Sequence, residues 1–87
     1  MLTLKEFTKI IRAVQKHEQF CKKLSEDYPI DIYQIDEVNT PSILCDIFLN
    51  NIYGEEKTDK INFWLYEQNK CYGSTDEEIE ELYNEIN

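Results

Sequence analysis

The chain has 87 residues, enough for one hydrophobic core and too few for two, so residues 1–87 are read as a single domain. Its 41% hydrophobic and 13% aromatic content excludes a disordered polyelectrolyte, although 18 Asp and Glu against 9 Lys and Arg leave a net charge of −9. A field of that sign disfavours nucleic acid as a direct ligand and speeds encounters with cationic surfaces.

Thr3 followed by Glu6 forms a capping box, and Phe7, Ile10, Val14, His17, Cys21, Leu24 and Tyr28 then recur at steps of three and four. The spacing predicts an amphipathic helix over 4–26. Lys5, Lys9, Arg12 and Lys16 share another face, as a basic stripe that is either solvated or paired with acidic residues elsewhere. The charge is segregated: residues 1–26 carry six basic and three acidic side chains, residues 27–87 three basic and fifteen acidic.

Pro29 ends the first helix, and Ile30 to Ile35 alternate like a short strand, so residues 27–38 are expected to form an extended, partly packed connection. Thr40-Pro41 starts a second helix, in which Ile43, Leu44, Ile47, Phe48 and Ile52 fall at helical spacing and which stops at Gly54. Its broad apolar surface marks it as the central buried helix, and Ile47→Ala or Trp64→Ala is expected to be severe.

Thr58 or Asp59 is the expected cap of a third element, whose Ile61, Trp64 and Leu65 share a face if it is helical; a strand reading pairs Ile61, Phe63 and Leu65 instead. The helix is favoured, ending near Asn69. Thr75 and Glu78 form a second capping box ahead of Ile79, Leu82, Tyr83 and Ile86, which define the last helix. The fold class is therefore mainly α, a compact four-helix domain, with a minor strand or short hairpin as the α+β alternative. Its expected core comprises Phe7, Ile10, Ile11, Val14, Leu44, Ile47, Phe48, Trp64, Leu65, Ile79 and Leu82. Tyr28, Tyr66 and Tyr83 fall near core positions, whereas Tyr33, Tyr53 and Tyr72 lie beside connections, where they suit interface anchoring.

No run approaches a membrane span or a signal-peptide core, and Cys21, Cys45 and Cys71 are too few and too scattered for a disulfide framework, so a cytoplasmic location is expected. Nothing in the sequence calls for a cofactor. With one histidine, two glycines and no nucleophile elbow, the chain is read as non-enzymatic. His17 and Cys21, at i and i+4, would complete a zinc set with Cys45 and Cys71, but the chain has no Cys-x-x-Cys knuckle and both residues fall on the core stripe, so packing is preferred to metal binding.

The run Asp59-Lys60-Ile61-Asn62-Phe63-Trp64-Leu65-Tyr66-Glu67, with a Leu-Lys-Glu-Phe start and an Ile-Glu-Glu-Leu-Tyr-Asn end, resembles a set of small phage and prophage proteins of low-GC Gram-positive bacteria. Their shared core is D-x-I-x-(Y/F)-W-(I/L)-Y-E, usually followed by Leu-Asp-Phe-Gly; here Gln68-Asn69-Lys70-Cys71-Tyr72-Gly73 follows, so the likeness is tight over nine residues only. No functional residue transfers with it. The resemblance implies a mobile-element setting, in which small acidic proteins similar to anti-CRISPR inhibitors occupy the cationic nucleic-acid channel of a host nuclease. In charge, size and helix content the chain is also similar to bacteriocin-nuclease immunity proteins, though without their motifs.

The acidic surface carries the functional expectation. Carboxylates one helical turn apart, about 5–6 Å at Cβ, approximate successive phosphates, which makes Asp36, Glu37, Glu55, Glu56, Asp76, Glu77, Glu80, Glu81 and Glu85 the candidate partner-binding residues. The plain reading of the same residues is solubility. The expected function is a phage-type inhibitor, anti-CRISPR-like or a DNA mimic, acting in the host cytoplasm as a monomer or small homo-oligomer. Its partner is a basic nucleic-acid-binding nuclease or effector protein, and it contacts neither nucleic acid nor membrane directly. The alternatives are a phage structural or assembly accessory or oligomeric scaffold, and a zinc-stabilised adaptor.

Overall fold

The structure is a computed structural model that describes residues 2–27 and 46–87. Helix α1 spans Leu4–Asp27. Residues 46–53 form helix α2, α3 spans Glu55–Asn62 and runs straight into a π-helical turn over Phe63–Glu67, and α4 spans Asp76–Ile86. The domain is mainly α, with four helices and no strand among the described residues. The expected connection over 27–38 and the Thr40-Pro41 helix start fall outside them, apart from Asp27, which is the last residue of α1.

Both capping boxes form. Thr3 N–H donates to Glu6 Oε1 at 2.9 Å while Glu6 N–H donates to Thr3 Oγ1 at 3.2 Å, and the same exchange joins Thr75 and Glu78 at 2.9 and 3.1 Å. The bond from the Thr3 amide holds the Glu6 carboxyl below its ordinary pKa.

The buried face of α1 differs from the expected stripe. Phe7, Val14 and Cys21 are inside as anticipated, but Ile11, Gln15 and Glu18 complete the face, and Ile10, His17 and Leu24 lie at its margin. The reason is chemical: the apolar pattern overlooks polar residues that are buried because they hold other segments. Gln15 Nε2 donates to Lys70 O and Ser74 Oγ, each at 2.9 Å, and its Oε1 accepts from Arg12 at 2.8 Å. Glu18 accepts from the Tyr66 hydroxyl at 3.2 Å.

Helix α2 is not the central buried helix. Of its described apolar residues Leu49 is buried, whereas Ile47 is 50% and Phe48 47% exposed, so the severe effect expected of Ile47→Ala is withdrawn. Gly54 explains the geometry: at φ +84° it ends α2, its N–H donating to Asn50 O, and starts α3 at the next residue, its carbonyl accepting from Thr58 N–H. Thr58 is therefore a buried residue inside α3, and neither it nor Asp59 is the cap.

The third element is helical, and Ile61, Trp64 and Leu65 all face the core. The π turn closes with Gln68 N–H donating to Phe63 O at 3.1 Å. Phe63, which falls off the face shared by Ile61, Trp64 and Leu65, is 55% exposed. Asn69, at φ +58°, ends the segment. The core joins Phe7, Ile11 and Val14 of α1 to Leu49, Ile61, Trp64, Leu65 and Cys71, and to Ile79, Leu82 and Ile86 of α4.

Candidate functional site

Helix α4 is attached to α1 at its first turn. Arg12, a member of the predicted basic stripe, donates to Ser74 O at 2.8 Å and to Asp76 Oδ1 at 2.6 Å. Lys70 pairs with Glu78, and that contact with the Thr75 cap pulls the Glu78 carboxyl down to about 2. Asp76 is thus a structural clamp as well as a candidate docking residue.

The other carboxylates of α4 have no such partner among the described residues. Glu77, Glu80, Glu81 and Glu85 are exposed, and among the described residues none of them forms an ion pair or a side-chain hydrogen bond. Ile79, Leu82 and Ile86 bury the opposite side of the helix, so the four project from its outer half. Glu55 and Glu56 are exposed in the first turn of α3, where the helix dipole favours them. Asp36 and Glu37 lie outside the described residues.

The ladder Glu77, Glu81, Glu85 advances about 40° around the helix at each step. It thereby drifts from the outermost line toward α3, and Glu85 reaches the rim of a pocket of about 300 Å³ between α3 and α4. Phe63, Trp64 and Leu82 line its apolar part, and Asp59, Lys60, Gln68 and Glu85 its polar part. The pocket escaped the sequence argument because it needs the packing of α3 against α4. Its signal was nonetheless present in the nine-residue run: Ile61 and Leu65 fill the core, Trp64 packs in the core and borders the pocket, and Asp59, Lys60 and Phe63 line the rest of that side.

The tyrosines divide differently from expectation. Tyr66 is 43% exposed, although burial of its hydroxyl end and the neighbouring Glu18 raise its pKa. Tyr53 is no free anchor: it meets Phe7 edge-on, with ring centroids 6.4 Å apart, while Tyr83 lies 5.5 Å from the same ring and donates to Leu2 O at 2.7 Å. Tyr72 is exposed with Lys22 Nζ 4.7 Å from its ring centre, and Tyr28 and Tyr33 lie outside the described residues.

His17 Nε2 is 3.5 Å from Cys21 Sγ, and burial raises the thiol pKa of both Cys21 and Cys71. Cys45 lies outside the described residues, among which no group of three or more His, Cys, Asp or Glu is placed to hold a metal. No described helix is long and apolar enough to cross a membrane.

Fold and surface together define a small helical domain with an acidic face on its last helix. No protein family, curated protein or solved structure matches the chain.

Proposed function

We propose that the chain is a non-catalytic, phage-type inhibitor that docks its α4 carboxylates on the cationic, nucleic-acid-binding surface of a host defence protein and blocks it. One observation carries this reading. Acidic residues in the first turn of a helix are favoured by its dipole, but here they continue through Glu80 and Glu81 to Glu85 in the last turn, which contains no basic residue. Glu77 with Glu81, and Glu81 with Glu85, are moreover like-charge pairs at i and i+4, each costing a few tenths of a kcal/mol. Solubility needs charge but not this arrangement; a cationic partner gives it a use.

The test is a DNA-cleavage assay with bacterial defence nucleases, run with and without the protein at low and high salt. Inhibition at low salt that weakens at high salt and is abolished by Glu77→Lys/Glu80→Lys/Glu81→Lys supports the reading. Inhibition that survives the triple reversal in a folded variant contradicts it.

A second reading, an assembly accessory or oligomeric scaffold, draws on Ile47, Phe48 and Phe63, each about half exposed. Native mass spectrometry separates the two: a monomer favours the inhibitor, and a stable oligomer disrupted by Phe48→Glu favours assembly.

A further inference from the structure

We propose that the pocket between α3 and α4 receives one arginine side chain of the cationic partner, so that α4 supplies the long-range attraction and the pocket supplies the anchor. This rests on the acidic-docking reading and adds to it a chemical preference that a charged ridge alone would not produce.

The size fits a single side chain. About 300 Å³ stands at the lower end of the ~300–1,000 Å³ typical of small-molecule pockets and leaves little room for a multi-ring cofactor. The lining has the two parts that an arginine needs. Phe63, Trp64 and Leu82 offer apolar and aromatic surface to the aliphatic stem and the flat face of a guanidinium, while Asp59 and Glu85 offer carboxylates to its N–H groups.

Among the described residues Lys60 is the one cation in the lining, and it forms no ion pair with Asp59 or Glu85. Two carboxylates against one ammonium leave the lining net negative, so an incoming cation is still attracted. Gln68, the remaining polar residue, is neutral. The pocket also continues the ridge, since Glu85 belongs both to the i, i+4 ladder and to the rim. A basic segment lying along Glu77 and Glu81 meets the pocket at its next turn.

Arginine is preferred to lysine on geometry. A guanidinium is planar, stacks on aromatic rings and bonds two carboxylates at once, whereas an ammonium is a compact, strongly hydrated charge that gains less from Phe63 and Trp64.

The test titrates the full chain with hexa-arginine and hexa-lysine peptides by calorimetry and follows the Trp64 indole N–H by NMR. The expected result is binding of both, with hexa-arginine tighter by roughly five- to tenfold and the indole resonance moved by it alone. Asp59→Asn/Glu85→Gln should remove the preference while weakening hexa-lysine binding only about twofold, since both positions are exposed. Lys60→Gln should widen the preference. Equal affinities for the two peptides, or a preference that survives Asp59→Asn/Glu85→Gln, would overturn the pocket and leave the acidic-docking reading standing. If neither peptide binds, both fall.

Discussion

Helix α4 and the α2–α3 segment are neighbours of opposite character. In α4 every local instruction agrees: a capping box begins it, Ile79, Leu82 and Ile86 bury one side, and carboxylates cover the other. In α2 and the π turn that follows α3 the instructions conflict, because apolar side chains fall on more than one side of the chain and not all of them are buried. Leu49, Ile61, Trp64 and Leu65 go inside, while Ile47, Phe48 and Phe63 remain about half exposed. Charge on one element and surplus apolar surface on the other give the molecule two candidate interaction faces, and they meet at one pocket.

The largest effects should divide along that line. Ile79→Ala, which empties a fully buried site, is expected to lose about 2–5 kcal/mol in urea denaturation, whereas Ile47→Ala should lose less than about 1 kcal/mol. Equal losses would show that α2 is as deeply packed as α4. Gln15→Ala comes next, at about 1–3 kcal/mol, because it leaves the Lys70 carbonyl and the Ser74 hydroxyl without their buried donor. Faster amide hydrogen exchange across 70–74 should accompany it.

Those three substitutions also mark what local sequence does and does not determine. Period and caps placed α1 and α4 because each is governed by its own residues: Thr3 with Glu6, Thr75 with Glu78, and one apolar side apiece. Gln15 and Glu18 were invisible as core residues, since burial of a polar side chain depends on partners 55 and 48 positions away. Ile47 was misplaced because an apolar residue at helical spacing is equally compatible with either side of a helix whose pattern is broad. The π turn was hidden because one extra residue in a turn leaves composition unchanged, and the pocket because it needs α3 and α4 to pack together; the exposure of Phe63 follows from the helical reading itself, which puts Ile61, Trp64 and Leu65 on another side. The acidic ridge was legible because exposure of carboxylates is their default.

Smaller effects probe the first turn of α4. Thr75→Ala should cost about 1 kcal/mol by removing the side chain that accepts from Glu78 N–H, read as a lower thermal midpoint. Helix α3 has no equivalent, for Gly54 offers it no side-chain cap. Glu78 makes a pH prediction. Its carboxyl titrates near 2 in the folded chain against an ordinary 4.5, so its contribution is complete above pH 4.5 and is lost as the pH falls toward 2. Glu78→Gln should flatten the acid limb of the stability profile in that window and leave the profile near neutrality parallel to that of the parent.

The central claim is that the outer carboxylates of α4 are kept for docking and cost the fold a little. Thermal and urea unfolding of Glu81→Lys tests it without any partner, since this change turns two like-charge pairs into two opposite-charge pairs and places a cation nearer the end of the helix that favours it. The account predicts a gain of about 0.5–1 kcal/mol; a loss of stability would make the ridge part of the scaffold and contradict the claim.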